Sequence, residues 1–316
     1  MRWCSVSPVA ADVAGPAAAG GFLGATIVCA ALDDAVALYC EGLGFRLASR
    51  GRVASGLAAA WGAPGVAGAR FAVLVPASGA ACHLRFIEQP QAAPARPWTS
   101  TGWMALEFCV ASSDAAMARL ARAGFEIIGG AQDLEFSQGA LRAGQVRGPF
   151  GEQLYLTEVR RQIDGYSLPR ATCEVDGMFI AILATRDLDG CMKHYQRRFG
   201  CLKKDVFKAA VPFIARAQGL SADHEYEIGT VELQPGNYIE MDAMPLPLPD
   251  RTAPPHRQPG LLPAGIALVS LSTPALSPYR QHCLGTPVQM SGTGDVMAVA
   301  GYHEELVELV ASPDRP

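Results

Sequence analysis

The stretch LDDAVALYCEGLGF, residues 32–45, decides the fold because a second copy of it, LDGCMKHYQRRFG, occupies residues 188–200. Both copies read L-D-x-x-(V/M)-x-x-Y-x-x-x-(L/F)-G, with apolar residues at steps of four, three and four. This spacing places the apolar side chains on one face of an amphipathic helix. The closing Gly44 and Gly200 are typical of a helix C-terminus. The chain therefore contains an internal repeat.

The repeat extends into the flanking sequence. A strand-like run precedes each helix, FLGATIVCA and MFIAILAT, and further strands follow it, ending in CHLRFIEQP and NYIEMDAMP. Weaker copies of the same order begin at WMALEFCV and GIALVSLST. The pattern predicts four β-α-β-β-β units, and a period of this kind governs the whole fold.

Breaks in periodicity divide the units into pairs. Residues 160–177 lack periodicity and contain Pro169 and Gly177, which is typical of a linker. Pro-rich connectors at 89–98 and 244–265 join the units within each pair. We therefore predict a flexible tail over 1–20, a first domain over 21–160, a linker over 161–176 and a second domain over 177–312.

This arrangement resembles the vicinal oxygen chelate superfamily, which has the glyoxalase and bleomycin-resistance fold. The resemblance is carried by the two helix motifs with their preceding strands and by PGNYIEMDAMP, and it covers residues 21 to 312. It implies an α+β fold in which four βαβββ modules pair into two glyoxalase-like domains. Each domain would be a cup of curved mixed sheet with the helices outside it.

The resemblance also implies where a divalent metal would bind. Family members use an early position of the first strand, often His, and a position of the last strand, often Glu. In this chain the first-strand positions are Gly24, Ala105, Ile180 and Gly265. The last-strand positions are Arg85, Tyr155, Glu240 and Glu308.

These residues depart from the metal-binding pattern, since the family's His is missing from all four units. A catalytic divalent site normally needs about three His, Cys, Asp or Glu ligands. We therefore expect a metal-independent protein without a cofactor. The alternative is a Mg²⁺ or Mn²⁺ site built from Glu240, Glu308 and His224, because hard cations prefer oxygen ligands.

The stretch LQPGNYIEMDAMP places Tyr238, Glu240 and Asp242 on alternate positions of a strand, so they share one face. We predict that this face lines the second cup, together with Glu308 and Glu232. Clustered carboxyl groups raise one another's pKa and suit acid/base catalysis. In the predicted assignment Glu240 is the base, Tyr238 donates a hydrogen bond to an oxyanion, and Glu308 or Asp242 is the partner acid.

Strand alternation gives the first cup a different set of polar residues. His83, Arg85, Glu107 and Tyr155 are predicted to face inward, with Glu107 as the partner that a buried Arg85 requires. This pair is either a structural ion pair or a site for a substrate carboxylate or enolate.

Two further candidates lie at the rim of the second cup. Phe213 belongs to a predicted apolar flap, and His224 lies in the loop entering the next strand. The flap suggests an apolar ligand or, equally, an oligomer interface such as that of a homodimer.

Composition excludes several classes of protein. The 316 residues carry a net charge of −4 and a pI near 5.9, whereas nucleic-acid binding requires a basic surface. No apolar run reaches the ~20 residues of a membrane span. The first residues lack a signal-peptide pattern, and nine scattered cysteines indicate reduced thiols. We therefore expect a cytoplasmic protein whose partner is a small molecule.

The function expected from the sequence is metal-independent acid/base isomerisation or elimination on a small, partly apolar carbonyl compound. An isomerase or lyase of this superfamily would do this chemistry. Two alternatives remain open: a small-molecule sequestration protein of the bleomycin-resistance type, or a divalent-metal lyase or dioxygenase with atypical ligands.

Overall fold

The structure is a computed structural model, and it describes residues 19–95, 98, 100–244, 258–290 and 294–311. Each of the four units contributes four strands. Unit one comprises β1 (Phe22–Cys29), α1 (Leu32–Leu43), β2 (Arg46–Arg52), α2 (Ser55–Ala60), β3 (Arg70–Val75) and β4 (His83–Glu88). Unit two comprises β5 (Gly102–Val110), α3 (Ser113–Ala123), β6 (Glu126–Asp133), β7 (Leu141–Arg147) and β8 (Gln153–Val159).

The second half of the chain repeats this order with one change. Unit three comprises β9 (Val175–Thr185), α4 (Leu188–Phe199), β10 (Leu202–Ala210), α5 (Pro212–Ala217), β11 (Glu225–Gln234) and β12 (Asn237–Ala243). Unit four comprises β13 (Gly265–Thr273), β14 (Val288–Met290), β15 (Gly294–Ala300) and β16 (Leu306–Ala311). Its predicted α-helix is a short 3-10 helix, Ser277–His282.

The two helices of the quoted repeat form as predicted. In α1 the buried face includes Leu32, Val36 and Tyr39, and α4 buries the matching residues of its own copy. Gly44 and Gly200 end the two helices with φ of 71° and 69°, in the left-handed region that glycine adopts at low cost.

The strands form two eight-stranded mixed sheets. Sheet A has the order β14-β15-β16-β13-β1-β4-β3-β2, and sheet B has the order β10-β11-β12-β9-β5-β8-β7-β6. Sheet A therefore joins units one and four, and sheet B joins units two and three. Our expectation that neighbouring units share a cup is wrong on this point. The central pairs β1–β13 and β5–β9 are antiparallel contacts between units that are distant in sequence.

A continuous hydrophobic core joins the two sheets. It contains the helix-facing residues of both sheets, such as Phe86 of β4 and Leu106 and Phe108 of β5, together with the buried faces of α1, α3 and α4. The opposite, concave face of each sheet has its own apolar cluster. We call these concave faces cup A and cup B. Because the shared core lies on the helix side, the cups lie on the sides of the sheets away from it.

Two equivalent hydrogen bonds tie the units together across this core. The Tyr39 hydroxyl of α1 donates to Glu152, just before β8. The Tyr195 hydroxyl of α4 donates to Glu305, just before β16, at 2.7 Å. All four side chains are buried. Each bond therefore links the helix of an odd-numbered unit to the last turn of the unit that follows it.

The remaining segments bear on the predicted boundaries. Residues 1–18 of the predicted tail lie outside the described residues. Ala19 and Gly20 are not part of a tail, since their N–H groups bind the carbonyls of Phe199 and Ser272. Between β8 and β9, the expected linker contains no helix or strand.

In the described ranges the cysteines are free thiols. No helix in these ranges combines the length and apolar character needed to cross a membrane.

Candidate active site

Most polar side chains in the two cups come from the last strand of each unit and from the first strand that lies beside it. In cup A, Arg85 lies beside Thr26 and Glu308 lies beside Ser270. In cup B, Tyr155 lies beside Glu107 and Glu240 lies beside Ile182. Glu308 therefore belongs to the cup of Arg85, and Glu107 to the cup of Glu240. The predicted partnership of Arg85 with Glu107, and that of Glu240 with Glu308, are both wrong because the units pair differently.

Cup A is filled by a buried ion pair. The Arg85 Nη2 atom lies 2.9 Å from Glu308 Oε2, and Arg85 Nε donates to Thr26 Oγ1 at 2.9 Å. The indole N–H of Trp61 donates to Glu308 Oε1 at 2.7 Å, while its ring stacks against the guanidinium. Ser270 also donates to Glu308. The Arg85 charge keeps the Glu308 pKa below its usual value despite burial.

His83 and Gly24 complete the polar part of cup A. Burial and the neighbouring Arg85 charge lower the His83 pKa to about 4, so its imidazole is neutral at pH 7. Gly24 is the first-strand position that holds a metal ligand in the resemblance. Its φ is 146°, and a side chain there would collide with the His83 carbonyl oxygen. Cup A therefore does not fit a metal, since its one carboxylate already binds Arg85.

Cup B gathers three carboxyl groups. Glu240 and Asp242 project from the same face of β12, and their carboxyl groups are hydrogen-bonded to each other. Glu107 projects from β5, on the far side of β9, near enough to feel the Glu240 charge. Ile239 and Met241 point into the shared core instead. The prediction that the polar face of this strand lines a cup agrees with this placement.

Burial raises the pKa of all three groups. Desolvation and the nearby Glu240 raise the Glu107 pKa to about 8. Burial raises the Asp242 pKa to about 7, although its hydrogen bond to Glu240 works in the opposite direction. The Glu240 pKa also lies well above its usual value, because of burial and the Asp242 charge. Two carboxyl groups in contact bind one proton between them near neutral pH.

A second wall of cup B consists of neutral polar side chains on β7 and β8. Tyr155 and Gln153 lie on the same face of β8, and Gln145 of β7 is the cross-strand neighbour of Tyr155. Burial and the three carboxyl groups raise the Tyr155 pKa well above its usual value, so the phenol keeps its proton. Neither glutamine is among the site residues predicted from the sequence. A signal for both glutamines was present in the sequence: Gln145 precedes Val146 and Gln153 precedes Leu154. Because the two apolar residues face the core, the glutamines must face the cup.

Both cups are covered by short helices that correspond to the predicted flaps. Over cup A, α2 contributes Leu57 and is followed by Trp61. Over cup B, α5 contributes Phe213, whose ring lies 5.9 Å from Tyr155 and 5.8 Å from Trp98. Gln218 holds this cover through Trp98 and Tyr226: its Nε2 donates to the Trp98 carbonyl, and Tyr226 donates to its Oε1.

The two edges of sheet B also approach each other. Phe136, after β6, packs against Phe207 of β10 with ring centroids 5.1 Å apart. Cup B is therefore closed from the side by Phe136 and Phe207 and from above by α5. Apolar groups thus surround a polar interior.

The remaining predicted residues lie away from the carboxyl group cluster. Tyr238 accepts a hydrogen bond from Ser167 N–H at 2.8 Å and stacks near Tyr166. Glu232 forms an ion pair with Lys204 at 3.1 Å. His224 stacks edge-on against Tyr226 at the rim. The structure thus groups Tyr238 with the chain segment between β8 and β9 rather than with Glu240.

The carboxyl groups of cup B do not form a metal site. In the ranges described, no three His, Cys, Asp or Glu side chains are arranged to hold a metal ion. Glu240 and Asp242 turn toward each other, and Glu107, on β5, does not complete a ligand set with them. This donor arrangement does not fit the family's metal, and the chemistry below uses the protein's own groups.

A cavity of about 950 Å³ lies outside the carboxyl group cluster. It is lined at the ends of both sheets by Trp103, Met104, Ile266, Leu262 and Leu306. Two of its lining carboxyl groups, Glu152 and Glu305, are already bonded to tyrosines. Burial raises the Glu152 pKa to about 7 and also raises the Glu305 pKa, but each of these carboxyl groups is held by a tyrosine. Cup B instead brings together three carboxyl groups with raised pKa values, so we place the candidate active site there.

Comparison with protein families gives a match in the first half of the chain. Residues 21–156 match the family model described as the Glyoxalase/Bleomycin resistance protein/Dioxygenase superfamily. A comparison with curated proteins gives no match.

Solved structures share the fold over nearly the whole chain. A mutant of glyoxalase I from Zea mays has a TM-score of 0.61 at 15% identity, with 92% of each chain covered. Glyoxalase I from Zea mays itself has a TM-score of 0.57 at 14% identity, again covering 92% of each chain. A putative dioxygenase from Bacillus subtilis subsp. subtilis str. 168 has a TM-score of 0.57 at 12% identity, covering 94% of this chain and 87% of that one. At such low identity these likenesses show a common architecture.

Proposed function

We propose that this protein is an acid/base enzyme that works in cup B. Residues 21–156 match the model of the Glyoxalase/Bleomycin resistance protein/Dioxygenase superfamily, and the described residues share the fold of a glyoxalase I mutant from Zea mays. The proposed reaction is isomerisation or elimination, started by removal of a proton from the carbon next to a carbonyl. The substrate is a small, partly apolar carbonyl compound.

The observation that carries this proposal is the hydrogen-bonded pair of Glu240 and Asp242. Burial raises both pKa values toward or above neutrality, so the pair holds one proton and one negative charge. A general base is most effective when its pKa lies near the working pH. The ionised carboxylate of the pair takes the substrate proton. The protonated carboxyl group of the pair returns a proton to the neighbouring carbon or to a leaving group.

Tyr155 supplies the hydrogen bond to the developing oxyanion in this proposal. It replaces Tyr238, which packs against Tyr166 and the segment between β8 and β9. The Tyr155 hydroxyl is buried, keeps its proton, and has no hydrogen-bond partner among the described residues. A donor fixed in a site that excludes water stabilises an oxyanion more strongly than water does. Glu107, beside Tyr155, is protonated near neutral pH and adds no negative charge there.

The apolar surroundings support a partly apolar substrate. Phe213, Trp98, Ile182 and Ile228 form one buried cluster with Tyr155. The closed cover also favours a second candidate, a protein that sequesters a small molecule without changing it. The divalent-metal alternative remains a third outcome of the tests below.

Proton exchange tests the acid/base function directly. A panel of small carbonyl compounds is incubated with the protein in D₂O, and the loss of C–H signals is followed by proton NMR. We expect exchange at the carbon next to the carbonyl, slowed by about 10²–10⁴-fold in Glu240→Gln. Glu232→Gln, on the neighbouring strand and paired with Lys204, is the matched control and should exchange normally.

The rivals give different results. A ligand that raises the melting temperature yet exchanges no proton favours sequestration. Elemental mass spectrometry of untagged protein measures metal content. Stoichiometric metal that disappears in Glu240→Ala would overturn the proposal, whereas near-zero metal with Glu240-dependent exchange supports it.

A further inference from the structure

We infer that Gln145, Gln153 and Tyr155 form the specificity wall of cup B, and that this wall selects ligands carrying an N–H next to a C=O on one edge. Lactams, cyclic imides and cyclic ureides have such an edge. The inference rests on the proposed function in one respect, that cup B is the working site. It adds the substrate class, which acid/base chemistry alone leaves open.

Strand register places the three side chains on one surface. Gln153 and Tyr155 are two residues apart on β8, so they project from the same face. Gln145 is directly opposite Tyr155 on β7. Their neighbours Val146 and Leu154 point into the shared core, which fixes the phase of both strands. On the other side, Gln153 pairs with Ala105 of β5, which carries a small side chain.

The three side chains of this wall differ from ordinary polar residues because they are buried and contain polar atoms without hydrogen-bond partners. Gln145 is 4% exposed, Gln153 0% and Tyr155 8%. Among the residues that the structure describes, neither amide atom of Gln153 has a hydrogen-bond partner, nor do Gln145 Oε1 and the Tyr155 hydroxyl. Buried polar groups are almost always hydrogen-bonded, and each exception calls for an explanation. Four of the nine unpaired buried polar atoms in the described residues belong to these three adjacent side chains.

The chemistry of the unpaired atoms defines the ligand. Gln153 offers one acceptor and an N–H donor side by side, which match the adjacent N–H and C=O of a cyclic amide through two reciprocal hydrogen bonds. Gln145 Oε1 accepts from a second N–H, and Tyr155 donates to a carbonyl. A plain ketone presents acceptors alone and would leave both glutamine oxygens unpaired.

Charge argues against a carboxylate ligand in the same place. Glu107 lies beside Tyr155, and Glu240 and Asp242 lie beyond β9. Burial and the proximity of these groups to one another raise their pKa values, so a further carboxylate would be disfavoured. Arg147 lies next to Gln153, and its Nε has no partner among the described residues, but its Nη1 is paired with Glu126 and its guanidinium stacks on Trp98. The wall therefore favours a neutral ligand whose flat body fits against Phe213.

Matched ligand pairs test this selectivity. Hydantoin, succinimide and 2-pyrrolidinone are compared with cyclopentanone and succinate, by ligand-observed NMR and by titration of the melting temperature. We expect the cyclic amides to bind at least about 10-fold more tightly than cyclopentanone, since sites built to hydrogen-bond a ligand reject analogues that lack the groups. Gln153→Met should lose at least about 10-fold in affinity for the amides.

Stability of the ligand-free protein gives an independent readout. Replacing an unpaired buried amide by an apolar side chain of similar size should raise the melting temperature, so Gln153→Met should be more stable than the native protein. Gln89 is the matched control, because its buried amide is satisfied by the backbone N–H and C=O of Leu262. Gln89→Met should be less stable.

The possible outcomes separate this inference from the proposed function. Amide-selective binding that Gln153→Met abolishes supports the inference, even when no compound exchanges a proton. Exchange that depends on Glu240 but is equal for ketones and cyclic amides overturns the inference and leaves the function standing. A Gln153→Met protein that is destabilised like Gln89→Met, with unchanged ligand preference, shows a structural amide and also overturns it.

Discussion

Arg85 and Glu308 are 223 residues apart in the sequence, yet their side chains meet at 2.9 Å inside cup A. The contact exists because β4 of the first unit and β16 of the last unit flank the central pair of sheet A. Thr26 binds Arg85, and Ser270 and Trp61 bind Glu308. Cup A is thus occupied by an ion pair that further side chains hold in place.

Removing one partner of this pair should destabilise the protein strongly. Arg85→Met leaves Glu308 buried without its counter-charge, which typically costs about 3–5 kcal/mol. The double variant Arg85→Met/Glu308→Met should recover much of that loss, since both charges are gone. Urea unfolding followed by circular dichroism measures both. A loss below about 1 kcal/mol in the single variant would show that the pair is exposed to water in solution.

The rate of proton exchange should depend on pH in a bell shape. The pair of Glu240 and Asp242 must hold one proton, and the raised pKa of Asp242, about 7, sets the acidic limb. Below that pH the pair becomes fully protonated and loses its base. Well above it the second proton leaves and the acid is lost. A rate that stays constant from pH 5 to pH 9 would contradict this assignment.

Glu107→Gln should stabilise the protein more at pH 8 than at pH 5. The folded-state pKa of Glu107, about 8, lies above its ordinary value because of burial and Glu240. Its contribution to stability is therefore full at low pH and is lost as the pH rises through the folded-state pKa. A neutral Gln removes this loss, by on the order of 1–3 kcal/mol at pH 8.

Thermal melts of both proteins across that pH range provide the measurement. The exposed Glu135 gives a suitable control, since Glu135→Gln should shift the melting temperature equally at both pH values. A Glu107→Gln effect that is the same at pH 5 and pH 8 would argue against a protonated Glu107.

Gln218→Ala should loosen the cover of cup B. The substitution removes the hydrogen bonds to the Trp98 carbonyl and from Tyr226, each worth about 1 kcal/mol. Hydrogen exchange of the α5 amides should accelerate by roughly 10-fold, while β5 remains protected. Arg216→Ala, exposed on the same helix, is the control and should leave exchange unchanged. Equal protection of α5 in both variants would show that Gln218 does not hold it.

Tyr39→Phe and Tyr195→Phe should cost similar amounts, about 1–3 kcal/mol each. Each leaves a buried carboxyl group, Glu152 or Glu305, without its phenol donor. Equilibrium unfolding of the two variants and of the double variant measures the costs and their additivity. A large cost in one and none in the other would contradict the equivalence of the two bonds.

Local pattern predicted much of this structure. The spacing of Tyr39 and Tyr195 gave the two helices, and strand alternation correctly separated Leu84 and Phe86, in the core, from Arg85 in a cup. These features follow from the helical period of 3.6 residues and the strand period of 2 residues. Both periods can be read from each segment alone.

The pairing of units could not be predicted in the same way. The first strands of all four units are similar apolar runs, and nothing in β1 distinguishes β13 from β5 as its neighbour. Because side-chain partners across the cups depend on that choice, Arg85 was assigned to Glu107 and Glu240 to Glu308. The sequence placed Arg85 and Glu240 on the correct face of their strands, but it assigned each of them the wrong partner across the cup.

The order of strands in the two sheets has a consequence for how the chain folds. All strands of sheet B come from one uninterrupted segment, β5 to β12, whereas sheet A joins the start of the described chain to its end, with Phe22 opposite Leu271. Contacts between distant segments form slowly because the intervening loop must first be closed. During synthesis sheet B can assemble while β1 still exposes an unpaired edge. The first unit therefore depends on the last for its protection, and a chain stalled before β13 would present that edge for aggregation.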